Sequence, residues 1–241
     1  MTSSMTTEQM THRNRAAGAS EGRGAGPWPA SDHAARTRAA ALAFAVVYVV
    51  ARLVPLGAQL DERVRGGHDA GSVAAQWSAD LLSLLTPVSV VTAALVLCII
   101  AWRRSGLRAS VETGLAVALA PGLAETLKAL LPAVSDRAGA HLVIGSSFPS
   151  GHVAAVTALC LALLAVLPTS SASPSGLTWR AMLRAPVVLL PFVVGVATVL
   201  VGWHRPGDVV GGVLIAIVAH HGVRALTRRA TTGPRSARLR A

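Results

Sequence analysis

Six long apolar segments restrict the folds open to this chain more than any other feature. Each is close to the ~20 residues that an α-helix needs to cross the hydrocarbon core of a membrane. They lie at residues 39–56, 81–102, 110–131, 152–168, 185–203 and 207–226. Only 14% of the residues are charged, against roughly 25% in an ordinary soluble domain. We therefore predict an all-α fold, an integral membrane bundle of six transmembrane helices.

The fourth segment is the shortest, and the fifth and sixth nearly abut at His204. Five crossings, or one re-entrant segment, are the alternatives. Residues 1–35 are rich in Thr, Ser, Gly, Ala and Arg without apolar periodicity, which predicts a disordered cytoplasmic tail. Residues 36–226 form the predicted membrane domain, and residues 227–241 form a basic cytoplasmic tail. No apolar core follows a basic region near the start of the chain, so the first segment is expected to be a retained helix.

The distribution of basic residues indicates an orientation, because cytoplasmic loops retain Lys and Arg. With six crossings, sixteen of the 22 Lys and Arg residues fall on the side of the two termini. We therefore expect a cell-membrane protein with both termini in the cytoplasm and with the loops after the first, third and fifth segments facing outward. The Arg- and Ala-rich composition with a single lysine indicates a high-GC bacterial source.

Net charge and cysteine content exclude two other classes of protein. The formal net charge is +11, but nucleic-acid-binding domains cluster basic residues on one solvated face. Here the basic residues lie between apolar segments, so we expect no nucleic-acid partner. Cys98 and Cys160 each lie inside an apolar segment, where a thiol behaves as a small hydrophobic side chain. Neither a disulfide framework nor a thiolate metal site is therefore expected.

Residues 146–152, Ser-Ser-Phe-Pro-Ser-Gly-His, precede the fourth segment. Ser150 is suited to cap a new helix, and Gly151 allows close backbone approach. Free amides at a helix N-terminus, a hydroxyl and the imidazole of His152 together predict a site for a phosphate-like anion. Taken alone, Pro-Ser-Gly is also a common helix start.

His204 and Asp208 are four residues apart at the start of the sixth segment. On a helix they share a face, so the carboxylate can hold the tautomer and orientation of the imidazole. A histidine oriented in this way is a permitted nucleophile. The alternative is a solvated interfacial cluster of His204 with Arg205.

Lys128 is the only lysine in the chain, and it lies near the outer end of the third segment. Asp136 and Arg137 follow it. Lys128 is a third candidate functional residue; its alternatives are to extend to the membrane interface or to pair with Glu125 one turn earlier. The three motifs fall on the same predicted membrane face, which favours one functional site.

On these motifs the chain resembles the type 2 phosphatidic acid phosphatase superfamily. This is the six-helix membrane branch that shares its phosphate site with bacterial acid phosphatases and vanadium haloperoxidases. The resemblance covers about residues 81–220 and is most specific at residues 147–152 and 204–208.

The resemblance implies a catalytic role for each matching residue. His204 would attack phosphorus to give a phosphohistidine, Asp208 would orient His204, and His152 would protonate the leaving group. The residues expected to bind the phosphate oxygens are Lys128, Ser150, Gly151, Arg137 and Arg205.

Two positions depart from the family pattern. The family has Arg-Pro seven residues after the lysine, whereas Arg137 follows Lys128 by nine and no proline follows it. The family also has an arginine six residues before the nucleophilic histidine, where this chain has Thr198. A phosphate-clamping guanidinium is therefore missing from its usual place, a loss on the order of 2–4 kcal/mol in the transition state. Arg205 is the candidate substitute.

The predicted function is that of a lipid phosphatase that needs no metal or other cofactor. Its expected partners are the membrane and a lipid phosphate such as phosphatidate, phosphatidylglycerol phosphate or a polyprenyl pyrophosphate; no oligomeric state is predicted. One alternative makes His152, His204 and Asp208 ligands of a catalytic zinc ion. Another is a membrane protein that binds or transports phospholipids without catalysis, with Thr198 marking lost activity.

Overall fold

Helices make up most of the computed structural model, which describes residues 30–66, 71–135, 141–144, 147–167 and 175–231. The first helix continues directly into a π-helical turn at Val49–Leu53. The helices are α1 (Ala30–Tyr48), α2 (Pro55–Gly66), α3 (Val73–Ser83), α4 (Pro87–Ser105), α5 (Leu107–Leu130), α6 (Gly151–Val166), α7 (Ser175–Leu200) and α8 (Pro206–Thr231). Between α5 and α6, strands β1 (Pro132–Ser135) and β2 (His141–Ile144) form an antiparallel hairpin.

Helices lie at all six predicted apolar segments, but some of their ends differ from the prediction. The segment predicted at 81–102 is interrupted, because α3 ends at Ser83 and α4 begins at Pro87. The Thr86 hydroxyl accepts a hydrogen bond from the Ser89 amide at 3.1 Å and so caps α4, and proline is favoured at the first helical position. Helices α2 and α3 and the hairpin occupy regions that were expected to be loops.

The predicted tails fall largely outside the described residues. Of the N-terminal tail predicted at 1–35, only residues 30–35 are described, and they belong to α1. At the other end, α8 continues past residue 226 to Thr231, and the remainder of the basic tail lies outside the described residues.

Three helical stretches in the described part of the chain are long and apolar enough to cross a membrane: Ser31–Leu53, Pro87–Ser105 and Pro206–Arg229. Two further apolar helices, Gly151–Val166 and Arg184–Leu200, are shorter. Helix α5 has 24 residues but carries the charged residues Arg108, Glu112, Glu125 and Lys128. The structure therefore supports a membrane-associated helical protein and, by length and composition, three of the six predicted crossings.

Alanine-rich faces bring α5, α6 and α8 together in the core. The buried alanines of this contact are Ala120 and Ala124 of α5, Ala154, Ala158 and Ala162 of α6, and Ala216 and Ala219 of α8. Small side chains allow helix backbones to approach closely, which is a usual basis of helix association in membranes. On the outside, large apolar side chains such as Val88, Leu95 and Ile99 of α4 are exposed, as expected for a surface that contacts lipid or another apolar partner.

The starts of α6 and α8 touch through their backbones at one end of the bundle. A Cβ atom on Gly212 of α8 would lie 2.6 Å from the Ser150 carbonyl oxygen, so only glycine fits this contact. The end of α1 lies at the same end, because the Tyr48 hydroxyl donates a hydrogen bond to the Pro132 carbonyl at 2.7 Å. The predicted motifs are therefore brought to one end of the molecule.

Candidate active site

Asp208 is a fully buried carboxylate at the start of α8 that joins two of the predicted motifs. Its Oδ2 atom accepts hydrogen bonds from the Ser147 hydroxyl at 2.8 Å and from the Arg205 amide at 2.9 Å. Its backbone carbonyl accepts a third from the Ser150 amide, also at 2.9 Å. Asp208 thus fixes the segment that precedes α6 against the start of α8.

His204 lies in the short connection between α7 and α8, and its side chain is buried. The imidazole Nδ1 atom is 3.5 Å from Asp208 Oδ2. The amides of Trp203 and His204 both donate to the Thr198 carbonyl, at 3.0 and 3.2 Å, which fixes the connection. The carboxylate and imidazole therefore face each other, although His204 precedes α8 and does not share a helical face with Asp208 as the spacing predicted.

The segment before α6 caps that helix as predicted. The Ser150 hydroxyl accepts a hydrogen bond from the Val153 amide at 3.4 Å, and the helix begins at Gly151. The side chain of the next residue, His152, is exposed, and its ring packs against the Trp203 ring with centroids 5.8 Å apart. Since Trp203 directly precedes His204, the structure brings His152 and His204 to the same site.

Lys128 forms an ion pair with Glu125, with Nζ and Oε1 2.7 Å apart. This is one of the alternatives that the helical spacing indicated. The same pair also lies against the start of α6, because a Cβ atom on Gly151 would collide with Glu125 Oε1 and lie 3.5 Å from Lys128 Nζ. Lys128 is therefore both paired with Glu125 and adjacent to the predicted anion site.

Arg52 is a site residue that lies outside the three predicted motifs. It lies in the π-helical turn after α1 and is only 1% exposed. Its Nη2 atom donates a hydrogen bond to Asp208 Oδ1 and another, at 3.3 Å, to the Ser147 hydroxyl. One sequence signal was present, because a charged residue within an apolar segment is costly and usually functional.

Two acidic residues of α2 also reach the start of α8. Asp61 Oδ1 accepts a hydrogen bond from the Gly207 amide at 2.7 Å. Glu62 Oε2 is 2.6 Å from Arg205 Nη2. The guanidinium that was expected to bind phosphate therefore forms an ion pair with a carboxylate, which no sequence pattern indicated.

The remaining positions of the predicted site are Asp136, Arg137 and Thr198. Arg137 and its neighbour Asp136 lie outside the described residues. Thr198 is fully buried, and its hydroxyl donates to the Gly195 carbonyl of the same helix at 2.8 Å. Position 198 therefore contributes no side-chain cation to the site.

The charged groups nearest Asp208 form a buried cluster. The Nη1 atom of Arg52 lies 3.8 Å from Asp61 Oδ2, so this guanidinium is situated between two carboxylates. Burial raises the pKa of the Asp61 carboxyl above its ordinary value, while the Gly207 amide and the Arg52 charge act in the opposite direction. Within the described residues, no group of three or more His, Cys, Asp and Glu side chains is arranged to hold a metal ion.

The chain matches the sequence model of one protein family. The sequence model of the PAP2 superfamily matches residues 88–231, a region that contains all three motifs. No curated protein and no solved structure matches the chain. Because the matched region covers more than half of its length, the chain belongs to the PAP2 superfamily, the type 2 phosphatidic acid phosphatase superfamily that its motifs resemble.

Proposed function

We propose that this protein is a metal-independent membrane lipid phosphatase that acts through a phosphohistidine. Members of the PAP2 superfamily are phosphatases, which supports a phosphoric ester hydrolase. One observation carries the finer proposal: the same buried carboxylate, Asp208, is hydrogen-bonded to Ser147 and faces His204 Nδ1 at 3.5 Å. This arrangement suits a histidine nucleophile and its orienting carboxylate.

In the first proposed step, His204 Nε2 attacks phosphorus while the Nδ1 proton stays directed at Asp208. The bond between phosphorus and the leaving oxygen breaks as the new P–N bond forms. His152 donates its proton to the leaving oxygen, which departs as the lipid alcohol or, from a pyrophosphate, as the lipid phosphate. The exposed ring of His152, packed on Trp203, is accessible to such a group.

In the second step, water attacks the phosphorus of the phosphohistidine. His152, now neutral, accepts the proton from this water as the P–N bond breaks. Inorganic phosphate is released, and His204 returns to its neutral form.

The phosphate oxygens would be bound at the start of α6. The amides of the first helical turn have no partners within the helix and lie at the positive end of its dipole. Gly151 and Ser150 lie at this end, and Lys128 lies beside Gly151, where it would exchange its partner Glu125 for the phosphate. Arg205 can join them, because a partly exposed ion pair such as that with Glu62 stabilises a protein by only ~0–1 kcal/mol. We propose Arg137 as a further ligand.

An apolar cavity supports a lipid as the substrate. It has a volume of about 380 Å³ and extends between α7 and α8 from Phe192 to Pro206, the first residue of α8. Because Pro206 is two residues from both His204 and Asp208, a hydrocarbon chain in this cavity would leave its phosphate near the motifs.

We further propose six crossings, with the site on the outer side of the cell membrane and both termini in the cytoplasm. The bundle supports one common side for the site, since the end of α5 and the starts of α6 and α8 meet there, and the distribution of basic residues favours the outer side. Helix α6 has 16 residues, a length of about 24 Å. It is largely enclosed by neighbouring helices, so most of its surface contacts protein instead of lipid.

Phosphate release from detergent-purified protein tests the proposed function. The substrates are phosphatidate, phosphatidylglycerol phosphate and a polyprenyl pyrophosphate, each with and without a chelator. We expect release that depends on His204 and is unchanged by the chelator. Release that the chelator abolishes and zinc restores would favour the zinc hydrolase. Lipid binding without release from any substrate would favour the non-catalytic alternative.

Gly151→Ala tests the proposed phosphate site. The added methyl group would collide with Glu125 Oε1 and contact Lys128 Nζ, so the ion pair must shift. Since displacing a positioning group by about 1 Å can cost about 100-fold in rate, we expect kcat/KM to fall by about 10- to 100-fold. Gly122→Ala is the matched control, because a Cβ atom there meets nothing within 4 Å. Equal kcat/KM values for both variants would contradict a phosphate site at Gly151.

A further inference from the structure

The end of the connection into α8 and the first turn of that helix are held by three charged residues from outside the family match. Arg205 pairs with Glu62, the Gly207 amide donates to Asp61, and Asp208 accepts from Arg52. All three partners precede residue 88, where the match to the PAP2 superfamily begins. The motif residues therefore depend on contacts that the family pattern does not describe.

Arg52 is the most deeply enclosed of these three partners. Its Nη2 atom reaches Asp208 and Ser147, its Nη1 atom faces Asp61 at 3.8 Å, and its guanidinium lies 5.7 Å from the centroid of the Phe148 ring. It projects from a π-helical turn, an irregularity that often occurs at functional sites. Polar and aromatic groups thus surround the guanidinium on several sides.

We propose that Arg52 is a positioning residue for His204, acting through Asp208. The inference rests on the proposed phosphatase function. Arg52 and Ser147 hold the Asp208 carboxylate so that Oδ2 faces the His204 imidazole. Arg52 also balances the charge of a carboxylate that is fully buried, where an unpaired charge is strongly unfavourable.

This role differs from that of the arginine that is missing at Thr198. The Arg52 guanidinium contacts Asp208, Ser147 and Asp61 and is only 1% exposed, so its partners enclose it, whereas the partly exposed Arg205 is accessible to a phosphate. Its planar, two-pronged shape serves two carboxylates at once, which the single ammonium of a lysine does not. Changing Arg52 should therefore slow the chemical step without weakening substrate binding.

The test compares wild type, Arg52→Lys, Arg52→Ala and Arg63→Ala in the full-length protein. Arg63 is the matched control because it is an exposed arginine of α2 outside the proposed site. Folding is checked by gel filtration and thermal unfolding in detergent, and kcat and KM are measured for phosphate release. For Arg52→Lys we expect kcat to fall about 10- to 100-fold, with KM within about twofold of wild type. Added guanidinium should restore part of the kcat of Arg52→Ala, whereas methylammonium should not.

The results separate this inference from the proposed function. Wild-type release that is lost in His204→Ala establishes the function, and the Arg52 variants then decide the inference. An unchanged kcat for folded Arg52→Lys would overturn it. So would a large rise in KM at constant kcat, which marks a phosphate ligand, or loss of folding in both Arg52 variants, which marks a structural role. If phosphate release by the wild type did not depend on His204, the proposed function and this inference would both be overturned.

Discussion

His204→Ala is expected to abolish phosphate release, with kcat lower by about 10⁴-fold or more. Without the imidazole, the P–N bond of the proposed intermediate cannot form. The fold should persist, because the His204 amide, and not its side chain, donates the hydrogen bond to the Thr198 carbonyl. The measurement is phosphate release by purified protein, with thermal unfolding measured in parallel.

Direct detection of the phosphohistidine tests the role of His204 independently of turnover. A rapidly quenched reaction with radiolabelled substrate should yield an acid-labile, base-stable phosphoprotein from the wild type and none from His204→Ala. His221→Ala is the matched control, because His221 contacts His33 and lies about 20 Å further along α8. Substantial turnover by His204→Ala, or equal labelling of the wild type and His204→Ala, would remove His204 from the nucleophilic role.

Asp208→Asn is expected to affect both activity and stability. The amide keeps the shape of the side chain but removes the charge that faces Arg52 and changes the contact with His204. Loss of an orienting carboxylate beside a catalytic histidine can lower kcat by about 10⁴-fold, and we expect a loss of that order here. Breaking one partner of a buried ion pair costs about 3 kcal/mol in the free energy of unfolding. Kinetics and thermal unfolding in detergent measure the two effects.

Asp80→Asn provides the matched control, because Asp80 is an exposed aspartate of α3. We expect its kcat and its unfolding temperature to match those of wild type. If Asp208→Asn unfolded like wild type and kept its kcat, neither the ion pair with Arg52 nor the orienting role of Asp208 would stand.

Local sequence patterns predicted helices at the apolar segments and the capped start of α6, whereas α1, α4 and α7 begin six to ten residues from their predicted starts. Runs of about 20 apolar residues specify helices because every backbone polar group must be paired within the segment in an apolar medium. The Ser150 cap follows from equally local chemistry, since the hydroxyl bonds an amide three residues later in the chain. Helices α2 and α3 were missed, because they lie between the long apolar runs on which the prediction relied.

The local part of the candidate site was also predictable. Lys128 pairs with Glu125 across a helical spacing of three. His204 and Asp208 also lie close in the chain, although His204 precedes α8 and its position depends on the turn at Arg205. The hydrogen bond from Ser147 to Asp208 joins positions 61 residues apart. The two motifs were predicted to lie on the same membrane face, but no sequence pattern specified this contact.

Arg52 shows where prediction from the sequence ends. Its contact with Asp208 spans 156 residues. In the sequence, Arg52 is only an arginine near the end of the first apolar segment, which is expected to lie at the outer side of the membrane. The same is true of Glu62, whose pairing with Arg205 depends on the position of α2 beside α8. Helix packing determines both contacts.

The sequence by itself determined the apolar helices, the capped start of α6 and the phosphatase motifs. These features depend on residues a few positions apart, whose geometry follows from the helix itself. Only the tertiary structure decided that Arg52 supports Asp208, that Arg205 pairs with Glu62 and that α6 and α8 meet at Gly212. The physical reason is that a buried charge must be paired, and its partner is whichever group the packed helices bring within reach.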